Sequence, residues 1–236
     1  MATDPTEEQF LKDVADHEMQ VLLDNGVYRH LRFKRPKSGI AWFDIVTWPG
    51  YLAYSGDMGS FVFSRLNDMF EFFRTDRRDD RLGINRSYWG EKLQAVDRSG
   101  SYREYSEDRL KRHVDDAVKA WVEEFDGPVG EADEEECVEA KAAFEKALRE
   151  AVKEDIHCNI EGASEETGHR TLRDFCFEHE GKKYEFSDTW EWDCQDYTYR
   201  FTWCCYALAW SIRKYDELRV EAPVPAAAGA ATEARA

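Results

Sequence analysis

The sequence lacks an apolar run long enough to cross a bilayer. Its most apolar later segment, FTWCCYALAWSI at 201–212, has about a dozen residues between Arg200 and Arg213, whereas a membrane-spanning helix needs about 20. The opening residues, MATDPTEEQF, contain neither a basic nor an apolar region, so no secretory signal is expected. We therefore predict a protein that does not enter a membrane.

Paired cysteine motifs are also missing. The six cysteines show no C-x-x-C spacing, and zinc sites need Cys or His in close pairs. His157, Cys158, His169, Cys176 and His179 are irregularly spaced. No metal and no cofactor is expected, and the cysteines are interpreted as free thiols in a reducing compartment.

Motifs of nucleophilic and phosphate-transfer enzymes are absent too. The sequence has no G-x-S-x-G, no H-E-x-x-H and no Walker-type loop. Asp174 with Glu180 and Lys182 imitates a D…E-x-K nuclease pattern, in which carboxylates hold Mg²⁺ and a lysine orients water. Because Glu180-Gly181 is predicted to be a hairpin turn, where solvated charge is common, a non-catalytic protein is favoured. A metal-dependent nuclease or other nucleic-acid-processing enzyme remains an alternative.

Positive charge is in deficit. The 32 basic and 49 acidic side chains give a net charge of −17, which repels nucleic acid and anionic membranes at long range. Residues 1–128 carry a net charge of −5 and residues 129–236 a net charge of −12. The expected partner is a basic host protein, such as one that itself binds nucleic acid, and direct nucleic-acid binding is not favoured.

What the sequence has is enough apolar material for a core, since 42% of its residues are hydrophobic. Asn25-Gly26 and Trp48-Pro49-Gly50 are turn sequences between strand-like runs. The run 40–48 lacks clean alternation because both faces of the strand would carry apolar residues, which predicts a central strand covered on both faces. These features predict a β-meander.

Helical periodicity follows the meander. A stripe over about 107–125 predicts a helix with Ser106 as its N-cap, and Asp133 opens another helix to about 155. The last predicted helix, at about 198–218, is apolar on two sides and is expected to lie inside the fold. The adjacent Cys204 and Cys205 on it are interpreted as core residues.

The fold class predicted from these elements is α+β: an antiparallel β-meander and hairpins packed with four to six helices in a single compact domain. The predicted domain spans 1–222, and a disordered tail follows at 223–236. Within the domain we expect three segments, namely a β-meander module at 17–75, a helical segment at 84–156, and a hairpin plus helix at 170–218.

Acidic residues form the first candidate site. TWEWDC alternates as a strand would, which puts Glu191 and Asp193 on one face opposite Trp190 and Trp192. We interpret this face, with the acids that open the helix at 133, as a candidate protein-binding surface rather than a metal site. Its residues are Glu134, Glu135, Glu185, Asp188, Glu191, Asp193 and Asp196.

A basic strand face is the alternative site. Tyr28, His30, Arg32 and Lys34 alternate on the strand after Asn25-Gly26, and they mix aromatic and cationic groups as single-stranded nucleic acid requires. Lysine and arginine also protect exposed strands from pairing with other chains. Because the chain is strongly acidic, protection of the strand is the favoured interpretation.

The run GVYRHLRFKRP…WFDIVTWPGYLAYSGDMGSFVFSRLNDMFEFFR resembles an uncharacterised family of small proteins from tailed bacteriophages and prophages. Its members share a WF-x-I-x-TWPG-x-L…GDMG-x-x-VF…DMF-x-FF pattern, which matches positions 26–74 here, about a fifth of the chain. The resemblance implies a phage origin and expression in the cytoplasm of the bacterial host. It carries over no catalytic residue.

Together these observations predict a phage accessory protein that binds a host protein through an acidic surface. Such a protein could blunt a nucleic-acid-targeting defence, as anti-CRISPR and anti-restriction proteins do. A nuclease and a single-stranded nucleic-acid-binding protein are the two alternatives.

Overall fold

The computed structural model describes residues 4–78, 81–98, 100–127 and 133–221. The predicted disordered tail at 223–236 lies outside the described residues. No helix in the described part of the chain is long and apolar enough to cross a membrane.

The described part of the chain folds into helices and strands. In chain order they are α1 (Glu7–Asp13), β1 (Glu18–Asn25), β2 (Tyr28–Lys34), β3 (Phe43–Trp48), β4 (Tyr51–Gly56), β5 (Gly59–Ser64), α2 (Met69–Arg74), α3 (Arg86–Gly90), β6 (Leu93–Val96), β7 (Arg103–Tyr105), α4 (Glu107–Glu123), α5 (Glu134–Val152), a π-helical turn (Lys153–His157), α6 (Cys158–Ile160), α7 (Glu165–Asp174), β8 (Phe177–His179), β9 (Lys182–Tyr184), a 3₁₀ turn (Thr189–Glu191), β10 (Gln195–Tyr197) and α8 (Tyr199–Glu221).

Strands β1 to β6 form one antiparallel sheet in sequence order. The predicted turns fix its register, because Gly26 and Gly50 have φ of 63° and 85°, values that glycine adopts without steric cost. The pair β8–β9 confirms the predicted hairpin, and β7 pairs with β10. The predicted α+β class with an antiparallel meander is therefore confirmed.

Two compact units divide the chain. The sheet unit comprises Met1–Tyr102 and Tyr197–Ala236, and the inserted unit comprises Arg103–Asp196. The sheet unit is thus built from both ends of the chain, and the predicted segments 84–156 and 170–218 each cross a boundary between the units.

The core of the sheet unit lies between one face of the sheet and α8. Trp203 of α8 packs edge-on against Phe10 and Phe43, with ring centroids 4.9 and 5.7 Å apart, and Trp210 packs against Phe33 at 5.4 Å. Residues 201–205 and 207–212 of α8 are all buried. This confirms the prediction of an enclosed helix, including Cys204 and Cys205.

The outer face of the sheet does not match prediction. On β3, Phe43, Ile45 and Thr47 are buried, but Asp44 and Val46 are only half-buried and Trp48 is exposed. The expectation that both faces of this strand are covered is therefore wrong. The apolar residues Val46 and Trp48 lie on the outer face of the strand, which is half-buried to exposed.

The inserted unit is mainly helical. Ser106 caps α4 and Asp133 forms a capping box at the start of α5, both as predicted. The two helices contact each other, and Phe125 stacks on Phe144 with centroids 4.5 Å apart. The two predicted helices therefore pack against each other.

The second half of the inserted unit contains the main error. TWEWDC is not a strand: Thr189–Glu191 is a 3₁₀ turn that follows Asp188 in the left-handed region at φ 53°. Helix α7 was not predicted either. It begins at the N-cap Ser164, and it buries Gly168 and Leu172.

Candidate functional site

The acidity of the chain lies almost entirely in the inserted unit. Arg103–Asp196 holds 29 acidic and 13 basic side chains, a net charge of −16. The sheet unit holds 20 acidic and 19 basic side chains, a net charge of −1. Division of the sequence into two halves blurs this contrast, because the two ends of the chain belong to the same unit.

The start of α5 carries two of the predicted acidic site residues. Asp133 accepts a hydrogen bond from the amide of Glu136 at 2.9 Å, and the Glu136 carboxylate accepts one from the Asp133 amide at 3.2 Å. Glu134 and Glu135 lie beside this capping box and are exposed. Their charges favour the helix N-terminus electrostatically and remain open to a partner.

Two further predicted residues are ion-paired. Arg103 donates to both carboxylate oxygens of Asp193, at 2.7 and 2.6 Å. Arg109 lies 3.3 Å from Asp196, and Arg112 lies 4.0 Å from it. The hydrogen bond from Arg103 lowers the pKa of Asp193. Asp193 and Asp196 therefore contribute less to an acidic surface than their number suggests.

The last three predicted acids, Glu185, Asp188 and Glu191, are exposed. A hydrogen bond with Glu185 raises the pKa of the Cys176 thiol. Glu191 lies in the 3₁₀ turn rather than on a strand. Glu191 and Asp193, which were predicted to share one strand face, therefore do not lie on a strand, whereas Glu134 and Glu135 lie at a helix start as predicted.

The basic strand face is present, but its cations are partly neutralised. Arg32 donates from Nε and Nη2 to the two oxygens of Asp44, both at 2.8 Å, and His30 Nε2 lies 3.0 Å from the same carboxylate. Burial acts to raise the pKa of Asp44, but the hydrogen bonds from Arg32 and His30 outweigh it and lower that pKa. Of the predicted set, Tyr28 is exposed and Lys34 is half-buried.

An aromatic row on the outer face of the sheet was missed. Trp48 pairs with Tyr51 across β3 and β4, and their rings stack with centroids 5.3 Å apart. Tyr28 extends the row onto β2, because it precedes Arg29, which pairs with Thr47. All three side chains are exposed. Two-residue alternation through the Pro49-Gly50 turn was the pattern that could have revealed the row.

A buried arginine was also missed. Arg29 shares the inner face of β2 with Leu31 and Phe33 and is 6% exposed. It donates to both oxygens of Asp68, at 2.9 and 2.8 Å, and its Cζ lies 4.5 Å from the ring centroid of Phe70. Alternation assigns position 29 to the inner face, so the pattern was available in the sequence.

The nuclease-like residues do not form a metal site. Glu180 sits in the hairpin turn at φ 48°, Lys182 lies over the Tyr184 ring at 5.1 Å, and Asp174 lies 3.7 Å from Arg173. Within the described ranges, no group of three or more His, Cys, Asp or Glu side chains is arranged to hold a metal ion.

Comparison with known proteins identified no relative: no family model, no curated protein and no solved structure matches this chain.

Proposed function

We propose that this chain is a phage or prophage accessory protein that binds a basic host protein through the inserted unit. The partner we propose is a nucleic-acid-binding component of an antiviral defence, met in the cytoplasm of the bacterial host. The concentration of net charge carries the proposal, since the inserted unit holds −16 of the −17 charges.

Charge density is the physical argument for this class of partner. Duplex DNA presents one negative charge per about 1.7 Å of its axis, and proteins that bind it carry matching basic grooves. Exposed carboxylates on helices of the inserted unit, among them Glu134, Glu135 and Glu139 at the start of α5, could occupy such a groove. Affinity of this kind falls as salt rises, because charges on exposed surfaces are screened beyond about 8 Å at physiological ionic strength.

Charge reversal on α5 tests the proposal. The triple variant Glu134→Lys, Glu135→Lys, Glu139→Lys changes the net charge by +6 on residues that are all exposed. We expect bacteria that express the wild-type chain to lose restriction of an infecting phage, and the variant to restore that restriction. The captured host protein should be basic and should elute as salt is raised.

A control variant makes the same change in net charge, but on the sheet unit. Glu18, Glu71 and Glu91 are exposed there, and their replacement by lysine should leave protection and capture intact. Equal loss in both variants would show a general effect of net charge. Full protection by the α5 variant would refute a role for these carboxylates.

Single-stranded nucleic-acid binding is the second candidate, favoured by the aromatic row Tyr28, Trp48 and Tyr51. Exposed aromatic side chains on a sheet stack on unpaired bases, and that contact tolerates any sequence. A gel-shift titration with a labelled oligothymidine should show binding that Trp48→Ala weakens. Added Mg²⁺ screens the repulsion between the acidic chain and the oligonucleotide. Absence of a shift at low salt in the presence of Mg²⁺ would exclude this candidate.

A further inference from the structure

A groove of about 630 Å³ lies inside the inserted unit, between α7 and the segment 186–190. One wall is a single face of α7, where residues spaced by three and four lie on the same side. Glu166, His169, Arg170 and Arg173 line this wall. The helix is held from behind by Leu172, which is fully buried.

The opposite wall is anchored by aromatic packing and ends in an exposed indole. Phe186 packs against Phe175, with centroids 5.2 Å apart, and against Trp192 at 5.8 Å. Trp192 also stacks on His113 at 5.2 Å. Trp190 does not share this packing: it lines the groove and is 75% exposed.

Cationic and hydroxyl groups face this indole. Arg173 is 3.7 Å from Asp174, and Arg170 makes no ion pair with any described residue. Ser187 and Thr189 add hydroxyl groups to the same lining. Guanidinium and hydroxyl donors recognise phosphate oxygens, and an exposed indole stacks on flat heteroaromatic rings.

We propose that this groove binds a nucleoside phosphate. The base stacks on Trp190 and the phosphate lies against Arg170 and Arg173. The carboxylates of Glu166 and Asp188, which also line the groove, accept hydrogen bonds from base amino or ribose hydroxyl groups. A ligand with a donor-rich ring and one anionic end fits this mixed lining better than a simple anion does.

The size of the groove favours a mononucleotide over a polymer. Small-ligand sites have volumes of about 300–1,000 Å³, and this groove falls within that range. The unit around it has a net charge of −16, which would repel a long polyanion along its whole length. A single phosphate needs only the local cations. This inference does not depend on the proposed protein partner.

The test is a calorimetric titration of the full chain with AMP and with ATP. We expect saturable binding, which Trp190→Ala weakens by about five- to hundredfold, as expected for the loss of one stacked base. Arg170→Ala should weaken the binding of AMP but not the binding of adenosine, which has no phosphate. Trp190→Phe should retain most of the affinity, because it keeps an aromatic face.

A matched control uses a side chain of the same kind outside the groove. Arg149 is exposed on α5, so Arg149→Ala should bind AMP as the wild type does. Absence of AMP and ATP binding at millimolar concentration would overturn the proposal. So would equal binding by Trp190→Ala, tighter binding of inorganic phosphate than of AMP, or binding of an acidic peptide alone. Circular dichroism confirms that each variant is folded.

Discussion

Replacement of Arg29 by methionine should strongly destabilise the sheet unit. The Arg29 and Asp68 side chains are 7% and 18% exposed. Arg29 Nε also donates to Tyr215 Oη at 3.2 Å, and Tyr215 in turn donates to Asp24 at 2.9 Å. Methionine keeps most of the aliphatic volume but leaves the Asp68 carboxylate without its main counter-charge.

The magnitude follows from the burial of the pair. Removal of one partner of a buried ion pair costs about 3–5 kcal/mol, because the other charge stays desolvated. Asp68 is also the N-cap of α2 and accepts a hydrogen bond from the Phe70 amide at 2.9 Å, so its carboxylate is not left entirely without a partner. We therefore expect a loss of about 3 kcal/mol, at the lower end of that range.

Arg149→Met is the control for an exposed pair. Arg149 donates to the Glu145 carboxylate at 2.8 Å, and the two side chains are 49% and 40% exposed, so this pair contributes about 0–1 kcal/mol. Both variants are compared with the wild type by urea denaturation at neutral pH. Equal losses in the two variants, or a loss below about 1 kcal/mol for Arg29→Met, would refute the argument from burial.

Three other predictions concern packing, thiol reactivity and pH. In Gly168→Ala the new Cβ would lie 2.9 Å from a Leu110 methyl group, so the free energy of unfolding measured by urea denaturation should fall by about 1–3 kcal/mol. The control Gly39→Ala, whose new Cβ meets nothing within 4 Å, should leave that free energy unchanged. Iodoacetamide labelling read by mass spectrometry should modify the exposed Cys158 in the native protein and spare Cys205, which is buried and whose pKa burial raises; native labelling of Cys205 would contradict its place in the core. Burial acts to raise the pKa of Asp216, but hydrogen bonds from two arginines outweigh it and lower the pKa. The stabilising effect of Asp216 is therefore present above the unfolded pKa of 3.8 and is lost as pH falls through the folded pKa. Asp216→Asn should be less stable than the wild type at pH 7, and denaturation at pH values below about 4 should show that difference shrinking.

Turn sequences and helix N-caps were predicted correctly from the sequence. Asn25-Gly26 and Trp48-Pro49-Gly50 fixed two hairpins, and Ser106 and Asp133 fixed two helix starts, because each acts within a few residues of itself. The strand β6 was missed since its pairing, Phe61 with Val96, joins residues far apart in sequence. Nothing within Leu93–Val96 itself indicates the partner.

Alternation failed at the candidate site for a different reason. Trp190 and Trp192 are spaced as strand residues, yet Asp188 turns the chain at φ 53° and a 3₁₀ turn sends the two indoles in different directions. The interaction of Asp193 with Arg103 joins residues 90 positions apart. Such long-range ion pairs decide which carboxylates remain available, and a single sequence does not specify them.

The order of the chain has a consequence for synthesis on the ribosome. The inner face of the sheet is complete in sequence at Val96, but the helix that covers it begins only at Tyr199. At roughly 5–20 residues per second, translation of the intervening stretch takes on the order of 5–20 s. During that interval Phe33 and Phe43 lack Trp210 and Trp203, the α8 side chains that pack against them, while the acidic inserted unit is being synthesised.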